Sequence, residues 1–279
     1  MFNFARKAAL AAAAVCLAVP VMAADYNPPV EELPEPVAAA PVYEEADYGG
    51  WYLRGDVDYH WSKFRGADYV VYGPPPGTNS FNFGKLKGAM SLGAGVGYQV
   101  NNHFRVDVTG DWFSKSKFRG QTTGICGGGI VCQSVDTTSY SALLLLANAY
   151  ADLGTWHGVT PYVGAGIGGA YLKWDTLHNS NNDGDFYHRG GKGWRFAYAV
   201  MAGASYCLTD RTKLDLGYRF SHINGGEMFG YANGGGPGYD KGINVHEVRG
   251  GLRYQFGRSD CAQPEPVAYE PPPEPIYTK

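Results

Sequence analysis

WYLRGDVDYHW, residues 51–61, decides the fold. Its odd positions carry Trp51, Leu53, Gly55, Val57, Tyr59 and Trp61, and its even positions carry Tyr52, Arg54, Asp56, Asp58 and His60. A period of two marks a β-strand, whose successive side chains point to opposite faces. One face is apolar with aromatic ends, and the other holds closely set charges of both signs. Everything else turns on which face is inside.

The alternation recurs along the chain. Phe104, Val106, Val108, Gly110 and Trp112 alternate with Arg105, Asp107, Thr109 and Asp111. Leu214, Leu216, Tyr218 and Phe220 alternate with Lys213, Asp215, Gly217 and Arg219, and Val248, Leu252, Tyr254 and Phe256 with Glu247, Arg249, Arg253 and Gln255. Together with 87–100, 141–153, 159–171 and 194–207, these segments predict eight strands: 50–61, 87–100, 104–113, 141–153, 159–171, 194–207, 212–220 and 245–256. The connections alternate too. Those at 101–103, 154–158 and 208–211 are short, and those at 62–86, 114–140, 172–193 and 221–244 are long. Short turns at one end and long loops at the other are the pattern of an outer-membrane barrel.

A soluble sandwich would turn its apolar face inward. Here there is no second apolar layer, and aromatics sit near strand ends as interface girdles. The expected fold is therefore an all-β, eight-stranded antiparallel transmembrane barrel over residues 49–257, apolar face to lipid and charges inward. Closure satisfies every backbone group without a sheet edge. Such a barrel is only wide enough for its own side chains. Its interior would hold Arg54, Arg105, Lys213, Arg219, Arg249 and Arg253 against Asp56, Asp58, Asp107, Asp111, Asp152, Asp215 and Glu247. Charges this nearly balanced should pair and plug the interior; a conductive path is the alternative.

The ends of the chain predict a compartment. Arg6 and Lys7 precede the apolar run at 8–19, which is too short to span a bilayer as a helix, and small residues follow at 21–23. This is the signature of a signal peptide over 1–23, cut after Ala23 or one residue later. Residues 24–48 contain five prolines, seven carboxylates and no Lys or Arg, so they should form an extended periplasmic tether. At roughly 3.1 Å per residue, that tether reaches up to about 80 Å. Residues 258–279 form a second Pro/Glu-rich periplasmic tail. Without Arg6 and Lys7, 21 basic residues face 26 acidic ones, a net charge of −5 that offers no basic surface for nucleic acid. Four cysteines remain in this oxidising compartment. Cys126 and Cys132 should close a small extracellular loop. Cys207 and Cys261 both fall on the periplasmic side, where a disulfide would pin the C-terminal tail. Neither pair has a metal-binding spacing.

GWYLRGDVDY, TPYVGAGIGGAY, LDLGYRF and VRGGLRYQFG, taken in their order and spacing, resemble the small outer-membrane β-barrel proteins of alphaproteobacteria, which include the major surface proteins of Brucella and its rhizobial relatives. The resemblance covers about residues 49–257. It implies an abundant envelope protein set in outer-membrane lipid and lipopolysaccharide, with exposed loops, inserted by the barrel assembly machinery. The family's last strand commonly ends the chain on an aromatic residue that serves as an assembly signal; here that residue is Phe256, yet 23 residues follow it. Members of the family are also joined to peptidoglycan when L,D-transpeptidases link a mature N-terminal Ala-Asp to diaminopimelate. Ala24-Asp25 matches that pattern. The tether has no lysine, so the α-amino group of Ala24 is its one nucleophilic amine, and α-amines titrate well below lysine. An Ala-Asp start on a simple spacer is the plainer alternative.

Sharper chemistry finds little support. In FSHIN, residues 220–224, strand parity sends Ser221 and His222 to opposite faces with no acid to orient the histidine, against a catalytic pair. Asn179, Asn181, Asp183 and Gly184 echo a calcium loop, but Gly190 stands where the bidentate glutamate belongs. His178, Tyr187 and His188 could ligate haem, as in relatives described as haemin-binding, though no spacing demands it. The expectation is a structural envelope protein without enzymatic activity or cofactor, with a narrow porin or a haemin receptor as the rival.

Overall fold

A computed structural model describes residues 48–73, 76–232 and 235–261. Among them lie fifteen strands and one short 3-10 turn: β1 (Gly50–Phe64), β2 (Ala67–Val71), β3 (Gly77–Ser80), β4 (Phe83–Leu86), β5 (Ala89–Gln99), β6 (Phe104–Cys126), β7 (Ile130–Asp152), β8 (Val159–Trp174), β9 (Leu177–Asn181), β10 (Gly184–His188), β11 (Lys192–Cys207), β12 (Thr212–Ile223), β13 (Gly226–Phe229), β14 (Gly238–Asp240) and β15 (Ile243–Gln255). Eight of them are long. In the order β7-β8-β11-β12-β15-β1-β5-β6 each pairs antiparallel with its neighbours, and β6 pairs back with β7. This is an all-β barrel fold.

Burial answers the question posed by residues 51–61. Along β1 the even residues from Tyr52 to Ser62 are buried and the odd ones from Trp51 to Trp61 are exposed. The apolar face therefore looks outward and the charged face inward. From Trp51 to Trp61, ten residues at about 3.3 Å each and tilted about 40° project to roughly 25 Å, the height of an outer-membrane apolar band. Aromatics mark both edges: Trp51, Tyr98 and Phe104 at one, Trp61, Trp112 and Trp194 at the other, all exposed.

The regions expected to be long loops are not loops. The segment 114–140 continues β6 and β7, each 23 residues long in all, as a hairpin closed at its tip by the Cys126–Cys132 disulfide. The other three long connections contain the seven short strands. β4 pairs with β6, and the β9–β10 hairpin pairs with β7. β2 and β3 from the first connection join β13 and β14 from the last in a four-stranded sheet at that end. The expectation missed these strands because beyond the hydrocarbon there is no lipid to demand an apolar outer face, so the alternation that marks spanning strands fades. Thr, Val and Tyr still favour extended backbone there.

β6 carries a register break between Phe113 and Ser116. Below it the even residues Val106, Val108 and Trp112 face out; above it Lys115, Lys117 and Arg119 do, while Phe118 turns in. An extra residue in one strand of a pair produces this change of parity.

Candidate functional site

The inner face holds two storeys. The one nearer the short turns is ionic. Arg54 bridges Asp56 at 2.8 Å and Asp107 at 3.2 Å, and also reaches the Tyr150 hydroxyl. Arg249 contacts Asp56 (3.1 Å), Asp58 (3.3 Å) and Asp111 (3.1 Å). Arg219 grips Glu247 through two nitrogens, at 2.5 and 2.9 Å, and Asp111 at 2.7 Å. Arg253 meets Asp215 at 3.3 Å, and Arg105 meets Asp152 at 3.1 Å while lying over the rings of Tyr150 and Tyr162. Each of these twelve charged groups is at most 8% exposed. Every arginine of this storey thus has a carboxylate: Arg54, Arg249 and Arg219 share theirs in one network, and Gln99, bonded to both Asp152 and Arg253, joins the other two pairs.

That lattice needs bare backbone on the neighbouring strand. Gly97 lies opposite Tyr52, and a Cβ there would stand 2.3 Å from the Tyr52 ring. Gly93 lies opposite Asp111, whose carboxylate would be 2.4 Å from an added Cβ. The glycines let large inner side chains lie flat across β5.

The second storey is apolar, which the sequence did not disclose. β7 turns Ala142, Leu144 and Leu146 inward alongside Ala170, Leu172, Ala197, Ala199 and Phe113. Toward the long-connection end an aromatic cluster closes the interior. Phe64 meets Phe118 at 4.8 Å between ring centroids, Phe118 meets Trp174 at 5.8 Å, and Phe81 meets Phe229 at 6.2 Å. Asp240 fastens the four-stranded sheet over this cluster: it accepts from Arg195 at 2.7 and 2.8 Å, from Trp174 Nε1 at 3.1 Å and from the Gly242 amide at 3.0 Å. Arg195 and Asp240 escaped the sequence analysis because their segments were assigned to a strand start and a loop.

At the other end the chain folds back against the barrel after β15. Cys207, ending β11, is disulfide-bonded to Cys261 with Cα atoms 5.6 Å apart. Ser259 is buried and bonds the Asp210 carbonyl; Asp260 takes Lys213 at 2.5 Å and the Thr155 hydroxyl at 2.5 Å. Burial alone would raise the Asp260 carboxyl, but Lys213 beside it and these hydrogen bonds hold it below the ordinary carboxylate value. A depressed carboxyl stabilises the fold above its unfolded value and loses that contribution as pH falls through the folded one. Asp260→Asn is therefore expected to lower stability by about 1–2 kcal/mol at neutral pH. The gap from wild type should close on acidification below the ordinary carboxylate range, as followed by thermal unfolding in detergent. A gap that persists unchanged in acid would show that the disulfide alone holds this segment.

The remaining sequence candidates disperse. Phe256 is exposed beside Tyr254, its amide bonded to the Trp51 carbonyl at 2.9 Å. Ser221 points inward, and His222 turns instead to Asn244 and Tyr198. His178 stacks on Tyr187 and pairs with Asp185, whereas His188 is buried against Phe229, so the three do not converge on one ligand. The Asp183 carboxylate accepts the Gly127 amide, tying the β9–β10 turn to the hairpin tip. Among the described residues no group of three or more His, Cys, Asp or Glu could hold a metal ion. Ala24, Asp25, the signal segment and most of both tails lie outside the described residues.

An apolar outer band, a charged inner face and strands lengthened at one end define an outer-membrane β-barrel protein. The family model of the outer membrane protein beta-barrel domain matches residues 9–256, and the chain belongs to that family. Its place is the outer membrane. An uncharacterized protein of Brucella abortus (strain 2308) is 38% identical over 269 residues, covering 82% of this chain and 89% of the relative. The outer membrane protein PagN of Salmonella typhimurium is 26% identical over 166 residues, 52% of this chain and 61% of that protein. Among solved structures, the outer membrane protein OprG from Pseudomonas aeruginosa superposes with a TM-score of 0.44 at 14% identity, covering 75% of this chain and 97% of that one.

Proposed function

We propose that the protein is an envelope-stabilising barrel of eight transmembrane strands whose interior is sealed, and that it joins the outer membrane to the cell wall through its N-terminal segment. The observation that carries this function is the filled interior: an arginine–carboxylate lattice at one level, an aliphatic and aromatic plug at the next, and the 258–261 segment at the end. A transport path needs unpaired charges facing water, and the inner arginines have partners. A haemin receptor needs a converging ligand set, and an enzyme needs an oriented base; neither has support here.

The two ends of the described chain support one orientation. The Tyr48 amide bonds Asn102 in the short 100–103 turn, and Cys261 is bonded to Cys207 beside the 208–211 turn. Both tails therefore leave at the short-turn end, which in such barrels faces the periplasm, and the long hairpins and sheet face outward. The α-amine of Ala24, at the start of the Pro/Glu-rich 24–48 segment, is the group that an L,D-transpeptidase would join to diaminopimelate of peptidoglycan. Phe256 is the residue offered to the barrel assembly machinery.

The test is made on cell walls. Sacculi are boiled in SDS, retained protein is digested with trypsin and glycan with muramidase, and the N-terminal peptide is analysed by mass spectrometry. Ala24 joined to a muropeptide is expected. Recovery of only a free Ala24 or Asp25 N-terminus in the detergent-soluble fraction sinks the tether.

A further inference from the structure

The outer surface just beyond the aromatic band carries an unusual concentration of cations. On β4 and β6, Lys85 lies directly opposite Arg119, and the Lys87 amide bonds the Lys117 carbonyl, setting those two residues side by side. All four side chains are exposed on the outer face. Lys115 follows on the same face and is the member of the group that has an acidic partner, Asp175 at 2.8 Å. Among the described residues Lys85, Lys87, Lys117 and Arg119 make no ion pair. The outward neighbours that β7 places beside Arg119 and Lys117 are Thr137 and Ser139, not acids.

Like charges directly opposite on a sheet repel, with Cβ atoms about 5 Å apart. Two such pairs stacked in one patch are a standing cost that a bound anion would reverse. Their presence is also a consequence of the register break in β6, without which Lys115, Lys117 and Arg119 would point inward. The patch sits at a defined height. Trp112 on β6 and Met90 on β5 end the run of outward apolar residues that starts at the short turns, and Lys115 and Lys87 come three residues beyond them, about 10 Å of strand; the next exposed apolar residues, Phe83 and Ile125, lie on the far side of the cations. A second like-charged pair, Lys173 opposite Lys192, sits on another flank just past Tyr171 and Trp194, whose rings are 5.5 Å apart. Cations are thus placed repeatedly where the apolar band ends.

We propose that Lys85, Lys87, Lys117 and Arg119 form a binding site for the phosphorylated headgroup of an outer-leaflet glycolipid, whose acyl chains would lie along Met90, Leu92 and Trp112. The height selects this occupant over a soluble polyanion: an anion that reaches the quartet from the bilayer has phosphates and chains arranged in the same vertical order as the basic and apolar residues. The site rests on the orientation given under Proposed function, since only one leaflet can carry its ligand.

The test uses the full mature chain, purified in zwitterionic detergent and stripped of lipid. Binding of bisphosphorylated lipid A is compared with that of the same lipid after removal of its phosphates. Wild type is expected to lose about tenfold or more in affinity when the phosphates go, and to weaken as salt rises. The variant carrying Lys85→Gln, Lys87→Gln, Lys117→Gln and Arg119→Gln should lose a similar factor. Lys85→Arg with Lys87→Arg and Lys117→Arg keeps the charge and should keep binding, which makes the test independent of whether the neutral variant folds. Lys241→Gln, at a cation already paired with Asp68, should change nothing. Equal binding of the dephosphorylated lipid, undiminished binding by the folded neutral variant, or displacement by a heparin fragment or inorganic phosphate as readily as by lipid A overturns the proposal. On intact cells, Tyr239→Cys should react with a membrane-impermeant maleimide. Failure to react overturns the orientation and the outer-leaflet assignment with it, whereas reaction without lipid binding overturns the site alone.

Discussion

Arg219→Ala is expected to destabilise the folded barrel by about 3–5 kcal/mol, the usual consequence of stripping one partner from a buried ion pair. Arg219 is completely buried and supplies the ion-pair partner of Glu247, as well as the shortest contact to Asp111. Asp111 keeps Arg249 at 3.1 Å, but Glu247 is left buried without an ion-pair partner among the described residues. Arg219→Lys should recover only part of the loss, because a single ammonium cannot serve two carboxylates with the fork geometry of a guanidinium. Arg219→Met combined with Glu247→Leu should be far closer to wild type than Arg219→Ala, since both charges leave together. Urea unfolding in detergent, followed by the mobility difference between folded and heated protein, measures all three. A loss under about 1 kcal/mol for Arg219→Ala, or a double variant as unstable as the single one, would show that the lattice does not act as a connected unit.

The aromatic closure is expected to be equally sensitive. Trp174→Ala should cost about 3–5 kcal/mol, because the indole is buried among Phe64, Phe118 and Tyr140 and the surrounding strands cannot collapse onto the space. Trp174→Phe keeps most of the packing but removes the hydrogen bond to Asp240, a loss of about 1.5–3 kcal/mol for a bond to a charged acceptor. The two substitutions also separate the storeys functionally. In planar bilayers both wild type and Trp174→Phe should pass no steady current, and Trp174→Ala should remain closed as well, because the ionic lattice beneath it is intact. Channels in Trp174→Ala would mean that the aromatic storey is the seal and the lattice is permeable. Channels in wild type would return transport to the front.

How much of this was legible in the sequence depends on whether a feature is local. Side-chain parity along a strand is local, so residues 51–61 by themselves separate Trp51, Leu53 and Val57 from Arg54, Asp56 and Asp58. The inward set of β1, the lower part of β6, β12 and β15 can be written down from the alternation. The four consecutive leucines 143–146 defeat the same procedure, because a strand apolar on both faces has no alternation. Half of those leucines face out and half build the upper storey, and only the neighbouring strands tell them apart.

Single-chain parity also fails wherever the register breaks. Continuing the count of β6 past Trp112 would send Phe118 outward and Lys117 inward, whereas the break beside Phe113 does the reverse. An inserted residue is a property of a pair of strands, so it leaves no trace in one of them. Partnerships are more distant still. Arg219 meets Asp111 across 108 residues, Arg195 meets Asp240 across 45, and Asp260 reaches Thr155 across 105. The sequence by itself determined that strands alternate, which faces of the spanning ones carry charge, and that the two ends of each strand differ. Only the tertiary structure decided which arginine holds which carboxylate, that an apolar storey lies above them, and that the long connections fold into strands. Alternation is set by geometry within one strand, while pairing requires strands far apart in sequence to be brought to one register.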